Sequence, residues 1–70
     1  MNQNLAKEKV VLSGQIRAKQ ALHNLTNKEL KNLVKISMHT ISKIRRGCDS
    51  VKFENYYEVL NALNKYGETS

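Results

Sequence analysis

Apolar residues recur along the chain at intervals of three and four, which is the spacing of one face of an α-helix rather than of a β-strand. The first series lies within residues 5–16, and Asn4 precedes it as a candidate N-terminal cap. Ser13 is an alternative start, because Gly14 inside a helix costs about 1 kcal/mol relative to Ala. This first helix is predicted to end near Asn24.

Capping signals divide the middle of the chain into two short helices. Thr26 and Glu29 have the spacing of a capping box, in which each side chain accepts a hydrogen bond from the backbone of the other residue and so starts a second helix. Ser37 is the next good cap, and it requires the second helix to stop within a few residues. It opens a third helix over residues 38–46, which Gly47 is placed to end.

The closing helix is predicted to begin near Lys52, and Gly67 can terminate it. Its apolar residues fall on one stripe, formed by Phe53, Tyr56, Leu60 and Leu63. Tyr57 is adjacent to Tyr56 and points to a different side, so we expect one of the two near the surface. Together with Val59, which falls off the stripe, that tyrosine would suit a contact with a partner subunit or protein. The alternative is a half-buried tyrosine without a partner.

These elements predict an all-α fold of four or five short helices. The 70 residues form at most one small domain. We divide it into an N-terminal segment (1–13) that begins the first helix, a main domain (14–66) and a short tail (67–70). The chain has one cysteine and therefore no internal disulfide to compensate for a thin core. The residues expected in that core are Leu30, Val34, Ile36, Ile41, Ile44, Phe53, Leu60 and Leu63.

The chain carries 12 Lys and Arg residues against 6 Asp and Glu residues, a formal net charge of +6. Ten of the basic residues lie within residues 1–50, whereas residues 51–70 hold more acidic than basic side chains. A basic surface raises the local concentration of anions, so we expect a polyanion, with nucleic acid as the first candidate, to approach the first two thirds of the chain. The alternative is a lysine-rich surface that only keeps the protein soluble.

The longest run of apolar residues is Val10–Leu12. A membrane span needs about 20 such residues, and the core of a signal peptide needs about 7 to 15. We therefore expect a soluble, cytoplasmic protein with no membrane partner.

Two short helices separated by three or four residues, the second opening with small polar residues, have the layout of a helix-turn-helix. Matching residues extend on both sides of this layout: Ile16-Arg17, Leu25-Thr26, Glu29-Leu30, Ile36-Ser37, Thr40-Ile41-Ser42-Lys43-Ile44, Arg46-Gly47, Phe53-Glu54 and Ala62-Leu63. On these residues the segment from Gly14 to Leu63 resembles, without a gap, the lambda-repressor-like helix-turn-helix domains of Cro and repressor proteins of temperate phages and bacteria. The resemblance implies that the third helix lies in the major groove of DNA.

The resemblance also implies which side chains meet the DNA. Base edges would face the first turn of the third helix, through Ser37, Met38, His39, Ser42 and Lys43. Lys43 can donate to guanine and Met38 can contact a thymine methyl group, but this turn has no Gln, Asn or Arg for bidentate contacts. Contacts with phosphates are expected from Asn27 and from Arg17, Lys19, Lys28, Arg45 and Arg46. The alternatives are an exposed histidine without a specific task and a solvated basic face.

Four positions depart from the family pattern. Lys31 stands where the family usually has Ala, at the crossing of the two motif helices, and a Lys stem can pass such a crossing. Lys35 stands where the family often has Gly in a left-handed turn, which costs another residue about 1–2 kcal/mol. Gln20 and Arg45 stand where the family frequently has an Arg and a Glu joined as an ion pair. We therefore expect Arg45 to lack a compensating charge, which suits a phosphate or an acidic protein surface.

The resemblance implies a sequence-specific transcriptional regulator of the Cro or repressor type, encoded by a temperate phage or a mobile element. It would act by occupying a double-stranded DNA operator as a homodimer. The alternative is an antirepressor, a modulator of repression that binds the DNA-binding domain of a partner repressor. The weak set of base-reading side chains and the change at Gln20 and Arg45 keep this alternative open.

An enzyme, a metal, a cofactor and a small-molecule substrate are not expected. His39, Ser42 and Asp49 form a trio that any polar helix can contain, and a domain of this size offers no deep pocket. His23, His39 and Cys48 lack the paired spacing of a zinc site. Cys48 is expected to be a reduced thiol. Its arginine neighbours favour a thiolate, but the chain has no second cysteine to resolve an oxidised form.

Overall fold

The structure is a computed structural model that describes the backbone of residues 2–69 and the side chains of residues 7–68. It contains four helices: α1 (Asn2–Leu22), α2 (Asn27–Leu33), α3 (Met38–Arg45) and α4 (Phe53–Thr69). Residues 2–69 contain no β-strand, so the predicted all-α fold is confirmed. None of these four helices combines the length and the apolar character that a membrane crossing requires.

The first helix is longer than its capping signals suggest. α1 runs without a break through both Asn4 and Ser13, so neither residue starts a helix, and the side chain of Asn4 lies outside the described residues. The Ser13 hydroxyl donates to the carbonyl oxygen of Val10 at 2.8 Å, a local bond that a serine forms readily inside a helix. After Leu22 the chain turns at Asn24, whose φ of 57° is the left-handed conformation that asparagine tolerates.

The two capping predictions in the middle of the chain are confirmed. The backbone N–H of Glu29 donates to the Thr26 hydroxyl at 3.1 Å, and the N–H of Thr26 donates to the Glu29 carboxylate at 2.9 Å. These bonds stabilise the carboxylate and lower the pKa of Glu29. Ser37 caps α3 by accepting from the N–H of Thr40 at 3.2 Å. Gly47 ends α3 with a φ of 74°, the conformation that glycine adopts without strain.

Residues 34–37 connect α2 to α3 without a left-handed residue. Among the non-glycine residues of 2–69, positive φ occurs only at Asn24, so the left-handed turn expected at Lys35 is absent. Lys35 is exposed instead, and its N–H donates to the Glu58 carboxylate of α4 at 3.2 Å. Lys31 is likewise exposed on α2. The two lysines that depart from the family pattern therefore cost the connection no backbone strain.

The core lies where α4 packs against α1 and where α2 and α3 close over them. Six of the eight expected core residues are buried, whereas Phe53 and Leu60 are only partly buried against the cluster. The buried apolar residues are Leu12, Ile16, Leu30, Val34, Ile36, Ile41, Ile44, Val51, Tyr56, Val59 and Leu63.

The buried stripe of α4 is rotated from the predicted one. It is centred on Tyr56, Val59 and Leu63, so the prediction that Val59 is available for a surface contact is wrong. Tyr56 is completely buried. Its hydroxyl donates to the Cys48 carbonyl oxygen at 2.7 Å, so the polar end of the side chain is hydrogen-bonded inside the core. Tyr57 is the outer tyrosine, with 43% of its surface exposed.

The last helix continues through Gly67 to Thr69, so the prediction that Gly67 terminates it and opens a tail is wrong. A single glycine weakens a helix by about 1 kcal/mol, which packing can outweigh. Here His23, just after α1, lies against Gly67: a Cβ atom on that glycine would be 3.2 Å from His23 Nε2. The ring of His23 also meets Tyr66 edge-on at a centroid distance of 5.2 Å. The glycine therefore permits a close approach between the ends of α1 and α4.

A buried lysine ties α1 to the loop that follows α3. Lys9 Nζ donates to the backbone oxygen of Asp49 at 2.6 Å, lies 3.5 Å from the Asp49 carboxylate and sits 4.9 Å from the centre of the Phe53 ring. These partners offset the cost of burying the ammonium group.

Candidate nucleic-acid interface

Helix α3 separates an apolar face from a polar one. Ile41 and Ile44 are completely buried and fasten the helix to the core. The opposite face carries His39, Ser42, Lys43 and Arg46, which share one side of a helix because their spacing is i, i+3, i+4 and i+7. Three of these four residues are exposed, and Lys43 is partly exposed. The outer face of α3, meaning these four residues, is therefore free to meet a ligand.

The first turn of α3 is only partly available to a ligand. Ser37 is exposed, but its hydroxyl accepts from the N–H of Thr40 and donates to the Thr40 hydroxyl at 3.0 Å. It therefore acts as the helix cap. Met38 has 40% of its surface exposed and stands at the start of the helix, next to His39.

Three arginines meet at the other end of α3. Arg17 of α1 donates to the carbonyl oxygen of Arg45, which brings its guanidinium to the last turn of α3. Arg17, Ser42, Arg45 and Arg46 together line one shallow concave surface, which we call the arginine cluster. Within residues 7–68 the one ion pair joins Lys9 to Asp49, so no carboxylate neutralises these arginines. The concentration of uncompensated charge at this end of α3 favours an anion.

Asn27 connects the arginine cluster to the interior. Its side-chain oxygen Oδ1 accepts from Gln20 Nε2 at 2.8 Å and from Arg45 Nη1 at 3.1 Å. Gln20 is 5% exposed, and its Nε2 also donates to the carbonyl oxygen of Leu25 at 3.0 Å. The Asn27 oxygen therefore faces Gln20 and Arg45, and the expected contact of Asn27 with a phosphate stays a prediction. Gln20 and Arg45 are linked as a pair, but through a neutral amide.

Two buried polar atoms of this network have no hydrogen-bond partner among the described residues: Gln20 Oε1 and Arg45 Nε. Sequence reasoning identified the Gln20 and Arg45 pair but missed the link through Asn27. The only sequence signal for it is the change at both partner positions, since residues 20, 27 and 45 belong to three different helices.

The other residues predicted to contact DNA lie around the outer face of α3 and the arginine cluster. Lys43 borders a second shallow concavity, whose other members are Thr40, Ser50, Val51, Lys52, Glu54 and Asn55, so one carboxylate lies on this side of the α3 face. Lys28 is exposed at the start of α2 and Lys19 is half-buried near the end of α1. Among the side chains of residues 7–68, neither Lys19 nor Lys28 lines the arginine cluster.

A surface of opposite character lies between α2 and α4. Leu33 and Tyr57, with 41% and 43% of their surfaces exposed, line a groove whose charged members are Glu54, Glu58 and Glu68 and one lysine, Lys65. We call this surface the α4 groove. The sequence predicts one exposed tyrosine but not the groove, because Leu33 follows Leu30 at the spacing of neighbours on one apolar face of a helix.

No group of three His, Cys, Asp or Glu residues within the described part of the chain is arranged to hold a metal ion. Of the trio considered for catalysis, Asp49 is paired with Lys9 rather than with His39 or Ser42. Cys48 is a half-buried free thiol.

Comparison of the chain with protein-family models, with curated proteins and with solved structures finds no match. A proposal about function therefore starts from the geometry and charge of the surfaces just described.

Proposed function

We propose that this protein is a DNA-binding transcriptional regulator that places α3 in the major groove of an operator. The observation that carries the proposal is the outer face of α3. Its four side chains form no hydrogen bond or ion pair with other described residues, while Ile41 and Ile44 on the opposite face are buried in the core. An α-helix with its side chains is about 10–12 Å in diameter, which fits the major groove, about 12 Å wide.

The side chains of this face, together with the neighbouring Met38 and Arg17, divide into two roles. Lys43 and Met38 would read bases, since an ammonium donates to guanine O6 or N7 and a thioether contacts the thymine methyl group. Arg46 and Arg17 would contact phosphates, which orient a protein on DNA without reading its sequence. His39 and Ser42 can each donate or accept at a base edge.

A dimer would place two copies of α3 in successive major grooves, about 34 Å apart, on an operator with dyad symmetry. Occupancy of that operator would exclude polymerase or a competing repressor. The resemblance of residues 14–63 to Cro and repressor domains supports this mechanism, and it favours a role in the switch of a temperate phage or mobile element.

The test compares Lys43→Ala and Arg46→Ala on a duplex selected from a random library by the wild-type protein, and on random DNA. Lys43→Ala should weaken binding to the selected duplex by about 1–3 kcal/mol and leave random DNA unaffected. Arg46→Ala should weaken both and reduce the salt slope by about 1. Lys65→Ala, which removes a lysine from α4, is the matched control. Absence of DNA binding by the wild type below about 100 μM would contradict the proposal.

The α4 groove supports a second candidate function, that of an antirepressor. The DNA-binding domain of a repressor is basic where it meets DNA, and the groove offers carboxylates around the exposed Leu33 and Tyr57, which complement such a surface. This function predicts that the protein binds the repressor encoded by a neighbouring gene in the absence of DNA. Tyr57→Ala should then weaken the complex with the repressor, whereas Lys43→Ala on α3 should leave it intact. Loss of the complex in Lys43→Ala alone would contradict this use of the groove.

A further inference from the structure

The arginine cluster and Asn27 carry a more specific inference than DNA binding in general. We propose that Arg17, Ser42, Arg45 and Arg46 form one phosphate-binding site, and that the neutral side chain of Asn27 keeps this site cationic. Assigning the phosphate to the DNA backbone rests on the function proposed above. The chemistry of the site is the same for a free phosphate ion.

The site is assembled from two helices before any ligand arrives. The hydrogen bond from Arg17 to the Arg45 carbonyl oxygen anchors the Arg17 guanidinium beside α3, and the bond to Asn27 Oδ1 anchors that of Arg45. Ser42 and Arg46 lie one helical turn apart on α3 and line the same concavity. Guanidinium groups that are already oriented bind phosphate oxygens in a bidentate manner with little loss of side-chain entropy.

The charge of the site is not reduced by the protein. No carboxylate within residues 7–68 pairs with Arg17, Arg45 or Arg46. Arg45 donates to the neutral Asn27 amide and also lines the concavity, so its positive charge is not compensated by the fold. A phosphate that reaches the concavity therefore meets three cationic groups, and Ser42 adds a hydroxyl that can donate to it.

Gln20 explains why residue 27 presents an oxygen to Arg45. Both bonds from Gln20 Nε2, to the Leu25 carbonyl oxygen and to Asn27 Oδ1, require acceptors, so the oxygen of the Asn27 amide must point to this node. Arg45 Nη1 then donates to the same oxygen.

An aspartate at position 27 would keep both of these hydrogen bonds, because a carboxylate oxygen accepts as an amide oxygen does. It would also form an ion pair with Arg45 and place a negative charge at the N-terminal end of α2, where the helix dipole favours it. Stability alone therefore favours aspartate here. Asparagine gives up that stabilisation and leaves the charge of Arg45 available to a ligand.

The test uses Asn27→Asp, which changes the charge of the site while preserving its shape. Asn61→Asp is the matched control, since it makes the same substitution at an exposed position of α4. Wild type and both variants are titrated with duplex DNA over a range of salt concentrations, and with inorganic phosphate while the arginine Nε–H resonances are followed by NMR. Their thermal unfolding is measured in parallel.

We expect Asn27→Asp to unfold at a higher temperature than wild type, to bind DNA about tenfold more weakly and to lower the salt slope by about 1. Phosphate should shift the Nε–H signals of Arg45 and Arg46 in wild type and in Asn61→Asp, but much less in Asn27→Asp. Arg46→Gln is a second test of the site. It should also weaken DNA binding and the phosphate-induced shift of the Arg45 signal, and it should leave the unfolding temperature unchanged because this side chain is exposed.

The two proposals fail separately. If wild type binds DNA and Asn27→Asp binds it equally well, the phosphate site is overturned while DNA binding stands. If no duplex binds but phosphate shifts the arginine signals only when residue 27 is neutral, the site stands for free phosphate and the proposed function fails. If neither DNA nor phosphate perturbs these arginines, both are overturned.

Discussion

Helices α3 and α4 each bury one apolar stripe, but their exposed faces carry opposite chemistry. The outer face of α3 and the adjoining arginine cluster are basic and contain no carboxylate. The exposed side of α4 carries three glutamates around Tyr57. Both helices contribute only their buried stripes to the core, so folding does not require the exposed charges to be separated in this way. It gives the molecule one surface that suits a polyanion and another that suits a basic protein partner.

The contrast between the two faces of α3 gives the prediction with the largest expected effect. Ile41→Ala removes a completely buried side chain and should lower the free energy of unfolding by about 2–5 kcal/mol. Ser42→Ala, the next residue on the exposed face, should change it by about 0.5 kcal/mol or less. Urea denaturation of the two variants measures both values. Equal losses would mean that the buried and exposed faces of α3 have been confused.

The capping box at the start of α2 supplies the next effect. Thr26→Ala removes the hydroxyl that accepts from the Glu29 N–H and should lower stability by about 0.5–2 kcal/mol without changing the fold. Because capping lowers the pKa of Glu29, its contribution is present above the pKa of the unfolded chain and is lost as pH falls through the lower folded pKa. The urea denaturation midpoints of wild type and Thr26→Ala, measured from neutral to acidic pH, test this pH dependence. A Thr26→Ala midpoint identical to that of wild type at neutral pH would contradict the cap.

A smaller effect is expected on the buried side of α4. Tyr56→Phe removes the hydroxyl that donates to the Cys48 carbonyl oxygen and should cost about 0.5–1.5 kcal/mol. Burial raises the pKa of Tyr56 above its ordinary value of 10.0. Its stabilising contribution should therefore be complete below pH 10 and be lost as pH rises through the higher folded pKa. The free energies of unfolding of wild type and Tyr56→Phe should converge as pH rises above 10. A difference that stays constant with pH would contradict this assignment.

Local chemistry explains which elements could be predicted from the sequence. The Thr26 and Ser37 caps and the Gly47 stop involve residues within a few positions of one another, so their geometry follows from residue type and spacing. The continuation of α4 through Gly67 could not be predicted in this way. There the helix meets His23, a residue distant in sequence that lies against the glycine.

The orientation of α4 and the arginine cluster required tertiary structure for the same reason. Two stripes of α4 had helical spacing, and packing against α1 selects the one that buries Val59. The bonds of Asn27 to Gln20 and Arg45 join three helices, so no periodic pattern encodes them. The residues of the outer face of α3, in contrast, follow from the position of the helix and its period of 3.6 residues.

The most direct test of the difference between α3 and α4 is a map of backbone amide chemical-shift changes when wild-type protein is titrated with the selected duplex. The largest changes should fall on residues 38–46 of α3 and on Arg17, with the residues of the α4 groove unchanged. Changes centred on Leu33 and Tyr57, with α3 unperturbed, would contradict the assignment of α3 as the surface that binds DNA.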